Sequence, residues 1–120
     1  MTDKPWETEP DHLLTEAHGY VCEIKRNGMG ALCGYIYVPL DHPVVAVVRN
    51  GGDDGLRVHG GITFYDERDG MYVFGFDCAH AGDMSPMMKR YHHEVYRTIE
   101  YVTNELENLA QQLKERNHAN

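Results

Sequence analysis

Near the C-terminus Val95, Ile99, Val102, Leu106, Leu109 and Leu113 follow one another at alternating spacings of four and three. This pattern constrains the fold more than any other in the chain, because it places all six side chains on one stripe of an α-helix. Ser85-Pro86 supplies a start, since serine caps free amides and proline is tolerated at the first helical position, so the helix is expected to run on to about Arg116. So long an apolar stripe needs a cover. Either a sheet packs on it or its C-terminal part pairs with a second copy as a coiled coil; both readings stay open. A homo-oligomer, dimer or higher, is expected because one small sheet leaves part of the stripe bare.

The sheet is legible upstream. "GYVCEIKR" (19–26) and "ALCGYIYV" (31–38) are rich in β-branched and aromatic residues, and the Asn27-Gly28 pair between them favours a tight hairpin. The prolines of Pro39-Leu40-Asp41-His42-Pro43 predict a loop, and "VVAVV" (44–48) reads as a small buried strand or part of a long connection. After the turn-forming Asn50–Gly55, "LRVHGGITFYD" (56–66) and "MYVFGFD" (71–77) predict a second hairpin. The expected class is α+β, a chiefly antiparallel four-stranded sheet with one long C-terminal helix packed on it. Residues 1–17 are expected to form an N-terminal arm, poorly ordered or with a helical turn around Leu13-Leu14, and residues 18–120 a single α+β domain.

With 120 residues the chain suits one modest core, and no run approaches the roughly 20 apolar residues of a membrane span. The acidic start "MTDKPWETEP" lacks the apolar centre of a secretory signal. Cys22, Cys33 and Cys78 cannot all pair within one chain and form no CxxC, so free thiols in a reducing cytoplasm are expected. A net charge of −8 argues against a non-specific grip on nucleic acid, although Arg26, Arg49 and Arg57 could still receive a small anion. The same charge suits a basic protein partner.

The chemistry gathers in "FGFDCAHAGD" (74–83), where a strand ends ahead of the predicted helix. Asp77 and His80 read as a carboxylate–imidazole pair, with Asp83 just before the cap. A purely structural role is the competing reading, with both aspartates satisfying turn amides and His80 packing on an aromatic ring. His59-Gly60-Gly61 interrupts a strand with two glycines, a mark of a bulge or of close approach by a ligand. Pairing of residues 57–65 with 71–77 would bring His59 opposite Asp77, so His59, Gly60, Gly61, Asp77, His80 and Asp83 are the candidate ligand-binding residues. Asp41-His42-Pro43 is a third contributor if its loop folds over the same edge, whereas His92-His93-Glu94 is expected on a helix surface.

Eight histidines invite a zinc site, and His59, Asp77 and His80 around Zn²⁺ or Mn²⁺ is the arrangement to test, but no HxxxH or closed tetrahedral set stands in the sequence. Cys78 with His80 or His59 would make a nucleophile pair only within hydrogen-bond reach, and a buried inert thiol is the commoner outcome. No GxSxG elbow, P-loop or dinucleotide fingerprint is present, so no cofactor is expected and no catalytic residue is assigned.

The segments Cys33–Pro43 ("CGYIYVPLDHP"), Val58–Thr63 ("VHGGIT"), Phe74–Asp83, and Arg97-Thr98-Ile99-Glu100-Tyr101-Val102 onward together resemble a family of small bacteriophage and prophage proteins, over roughly residues 19–113. Residues 44–56 depart from that pattern. The resemblance implies an accessory, counter-defence role in the host-cell cytoplasm, with no membrane partner. The first expectation is a sponge that sequesters a small nucleotide-derived immune signal, with Tyr35, Tyr37, Phe64 or Tyr65 available to stack on a base. One alternative is an anti-CRISPR-like inhibitor of a host defence protein, and another is a small His/Asp-dependent, metal-assisted hydrolase.

Overall fold

The computed structural model describes residues 4–88 and 94–118. Five strands, β1 (His12–Ala17), β2 (Tyr20–Arg26), β3 (Leu32–Pro39), β4 (Phe64–Arg68) and β5 (Met71–Asp77), form one antiparallel sheet in the order β1-β2-β3-β5-β4. Two helices accompany it, α1 (Pro43–Arg49) and α2 (Ile99–His118), and a single 3₁₀ turn spans Pro5–Glu7. The α+β class with an antiparallel sheet and a C-terminal helix therefore stands. The sheet has five strands rather than four.

The extra strand lies in the expected arm. β1 pairs with β2 around His18-Gly19, whose φ values of 49° and 88° make a two-residue hairpin turn. The sequence concealed it because histidine is an unusual occupant of the first position, and because Leu14 faces solvent rather than the core. Upstream of β1, Trp6 packs 5.0 Å from the Tyr96 ring, and Glu9 accepts hydrogen bonds from the Tyr96 hydroxyl and the Ile99 amide. Residues 5–17 are thus built into the fold.

In the β2–β3 loop the left-handed residue is Gly30, while Asn27 Oδ1 accepts from the Met29 and Ala31 amides, so the Asn-Gly pair works through its side chain. "VVAVV" is helix α1, neither a strand nor irregular: His42 caps it by accepting the Val44 amide on Nδ1, and Pro43 occupies its first turn. The other ring nitrogen of His42 donates to the Leu113 carbonyl at 2.7 Å, pinning α1 to the far end of α2. His42 is therefore committed to the fold, not to the cluster around residues 77–83.

α2 begins thirteen residues later than Pro86. Within the described part of 84–98, Val95 bridges to Asp83, its carbonyl accepting the Met84 amide and its amide donating to the Gly82 carbonyl, and the Ser85 carbonyl accepts the Met88 amide to close a turn. Thr98 is the effective cap, its hydroxyl accepting the Tyr101 amide. The predicted placement of His92 and His93 lies outside the described residues, and Val95, half exposed, is not part of the stripe.

From Val102 onward the stripe holds as read. Val102, Leu106, Leu109 and Leu113 are fully buried, packed with Ile24, Ile36, Val38, Phe74 and Phe76 from one face of the sheet. No coiled-coil seam is left over, because those apolar positions are already used within one protomer. Strand alternation puts Leu14, Val21, Tyr35, Tyr37 and Phe64 on the opposite face, where no helix packs among the described residues.

Of residues 57–63, expected to extend β4, Thr63 keeps to β5, its amide donating to the Gly75 carbonyl, while residues 57–59 run instead along α2. Glu105 accepts the His59 amide, Gln112 accepts the Arg57 amide, and the Asn108 and Gln112 amides donate to the Arg57 carbonyl. Spacings of three and four put these side chains on one polar stripe beside the apolar one. Replacing His42 should test how firmly the helices are pinned: His42→Ala is expected to cost about 2 kcal/mol in urea unfolding, as a lost cap plus the lost hydrogen bond to the Leu113 carbonyl. His42→Asn should recover only the cap portion. Equal stability of all three proteins would show that the link is idle.

Candidate functional site

Three segments meet at Asp83: the His59-Gly60-Gly61 loop, the turn after β5, and the approach to α2. The side chain of Asp83 has no solvent exposure, and a buried carboxylate persists only where donors meet it. Its Oδ2 lies 2.7 Å from His59 Nε2 and accepts the His80 amide at 3.1 Å, while Oδ1 accepts Arg97 Nε at 2.8 Å. Burial alone pushes the Asp83 pKa up; the Arg97, His59 and His80 contacts outweigh it and hold the value below the ordinary 3.8.

His59 is fixed from both sides. Its Nδ1 lies 2.7 Å from the Tyr101 hydroxyl, so neither nitrogen is left open to a substrate. The Arg97 guanidinium sits 5.0 Å from the centre of the Tyr101 ring, and its terminal Nη groups have no hydrogen-bond partner among the described residues.

Asp77 and His80 form a second pair. His80 Nε2 is 3.2 Å from Asp77 Oδ1, but poorly aligned, so that buried nitrogen has no hydrogen-bond partner among the described residues. The same Oδ1 accepts the Ala79 amide, and Oδ2 accepts the Thr63 hydroxyl. The His80 ring packs on Gly60, where a Cβ would come within 2.2 Å of it and where φ is 69°, so only glycine fits. The rings of His59 and His80 meet edge-on at 6.1 Å.

His59, Gly60, Asp77, His80 and Asp83 thus converge, with Asp77 beside His80 as expected and His59 on Asp83 rather than opposite Asp77, while Gly61 lines a separate cavity beside Asp54 and Tyr65. The β4–β5 register sets Phe64 opposite Gly75, so Thr63 rather than His59 reaches Asp77, and His59 reaches past it to Asp83 and His80. Both aspartates also satisfy turn amides, which is the structural role weighed above. Sequence reading missed Arg97, Tyr101 and Glu105, although the spacing of the last two on α2, in one polar stripe with Asn108 and Gln112, was there to be found. Arg26 and Arg49 are tied to Asp11 and Glu67, so neither contributes an open cation here.

Beside this network opens a cleft of about 350 Å³, lined by Met29, Ala79, His80, Ala81, Asp83, Ser85, Met88 and Glu94. Cys78 is buried and its thiol pKa is pushed up to about 12 by burial first and by Asp83 and Cys33 next, so no thiolate is offered at neutral pH. No group of three or more His, Cys, Asp or Glu side chains among the described residues is arranged to hold a metal ion. Comparison with family models, curated proteins and solved structures found no match.

Asp83 contributes stability that is fully present above the ordinary carboxylate value of 3.8 and is lost as pH falls through its lowered folded value. Asp83→Asn is therefore expected to unfold about 3 kcal/mol more readily at neutral pH, the size of breaking a buried pair. The gap should narrow as acid protonates the wild-type carboxylate. Denaturant midpoints measured across that pH range check this, and a gap independent of pH would contradict the assignment.

Proposed function

We propose that this protein is a phage-type accessory binding protein that counters host defence by sequestering a small nucleotide-derived signal in the host-cell cytoplasm. The observation that carries the reading is Arg97: among the described residues Asp83 holds it through Nε and no hydrogen-bond partner meets the Nη pair, a fork that suits a phosphate. A guanidinium anchored in this way is pre-organised and loses little freedom when it closes on an anion. The adjoining cleft, about 350 Å³, falls in the range of small-molecule sites. His59, Gly60, Asp77, His80 and Asp83 are the residues that shape and hold this site. The resemblance to phage proteins supplies the biological setting. The protein works as a homo-oligomer in this reading, with contact on the β1–β2 side of the open sheet face, where Leu14 and Val21 are exposed.

Capture is favoured over cleavage because His59 is bonded at both nitrogens and Cys78 is protonated, which leaves no nucleophile–base pair among the described residues. A second reading, inhibition of a host defence protein, is favoured by one feature: Met29, Met87, Met88 and Val95 are all exposed near the cleft, and methionine surfaces adapt to protein partners.

Incubation with a panel of cyclic nucleotides and ADP-ribose-derived signals, followed by heating and analysis of the released material, separates these readings. Intact release from wild type, with capture about tenfold weaker in Arg97→Lys, is the expected result, since lysine keeps the charge and loses the fork. Release of an altered product would replace the sponge with a hydrolase. No capture of any signal would leave the inhibitor reading, to be pursued by pull-down from a defended lysate.

A further inference from the structure

The open face of the sheet carries its own concavity, about 270 Å³, lined by Cys33, Tyr35, Thr63, Phe64, Phe76 and Asp77. Its walls are aromatic. Tyr35 and Phe64 meet edge-to-face at 5.5 Å, and the absent side chain of Gly75 lets them lie against the sheet, since a Cβ there would stand 2.7 Å from the Tyr35 ring. Phe64 is steadied from another side by the Arg68 guanidinium, 5.3 Å from its ring centre. Among the residues that line the slot, the carboxylate of Asp77 is the charged group.

Asp77 determines what the slot can accept. Its side chain is 30% exposed, and Thr63 occupies only one acceptor position on Oδ2. A carboxylate only accepts, so an occupant must bring N–H donors on its edge and a flat apolar body to meet Phe64 and Tyr35. We infer that this slot is a binding site for an amino-substituted heteroaromatic base of the aminopurine type. The volume suits one base, and the net charge of −8 disfavours a nucleic-acid strand laid across the face. Through Asp77 the slot adjoins the other site: Oδ1 of the same carboxylate faces His80, which lines the cleft next to Asp83 and Arg97. The inference deepens the proposed function by naming the base class of the nucleotide.

The test uses nucleosides that carry no phosphate. Guanosine and adenosine are titrated by NMR into the full chain, beside purine riboside, which has the ring but no edge amine, and inorganic pyrophosphate, which has neither. Guanosine or adenosine should bind wild type, and purine riboside about tenfold more weakly, the scale of losing a charge-assisted hydrogen bond. Phe64→Leu should weaken nucleoside binding about tenfold through lost stacking, and Asp77→Asn should remove the preference for the amine, each in a protein whose NMR spectrum remains folded. The inference is overturned if wild type binds neither amino nucleoside, or if Phe64→Leu and Asp77→Asn bind both unchanged. Pyrophosphate reports separately on Arg97: its failure to bind while guanosine binds would sink the anion site and leave the slot standing.

Discussion

A carboxylate taken out of water must be met by donors or give up its charge, and Asp83 is met from three directions at once. The consequence is architectural. His59 arrives from the loop before β4, the His80 amide from the turn after β5, and Arg97 from the approach to α2, so one buried charge ties together three segments, two of which also meet in the Asp83–Val95 bridge. The network also fixes the His59 ring, since a ring bonded at one nitrogen to a carboxylate and at the other to Tyr101 cannot flip without breaking both contacts. What is left over at its margins, the Arg97 Nη pair and the faces of His80 and Asp77, is what a ligand could use.

α2 serves this arrangement with two stripes. The apolar one closes the core, and beside it Tyr101, Glu105, Asn108 and Gln112 receive the side chain of His59 and the backbone of residues 57–59. Backbone polar groups of a loop need partners as much as those of a strand do. By providing them from helix side chains, the fold keeps the His59-Gly60-Gly61 segment out of the sheet and free to adopt the left-handed glycine conformations that bring it under His80.

Much of this was legible in the sequence. The β2–β3 hairpin, the β4–β5 hairpin around Asp69-Gly70 and the stripe from Val102 to Leu113 all follow from local rules of period and turn chemistry. So did the convergence of the HGG and DCAHAGD segments, because two strands joined by a short turn must bring their far ends together. What was not legible depended on partners distant in sequence. β1 has an exposed Leu14 and an uncharacteristic turn, and the approach to α2 is held extended by its bridge to Asp83 and by Glu9, ninety residues from the Ile99 amide it caps. The pairing of His59 with Asp83 rather than Asp77 follows from a strand that stops at Phe64, a boundary set by hydrogen bonds to α2 that no pattern within 56–66 announces.

The three cysteines have a use of a different kind. Cys22, Cys33 and Cys78 are all buried, and burial raises each thiol pKa, to about 11 for Cys22 and about 12 for Cys78. A thiol reagent in solution reaches Cys22 and Cys78 when the protein opens, whereas Cys33 lines the slot and is met there. Cys22 lies on β2 and Cys78 just past β5, so their labelling rates would follow the breathing of those strands, while that of Cys33 on β3 would report on the slot itself. The native chain thus carries its own set of local clocks, able to time how occupancy on either face of the sheet alters its opening, with no foreign probe introduced.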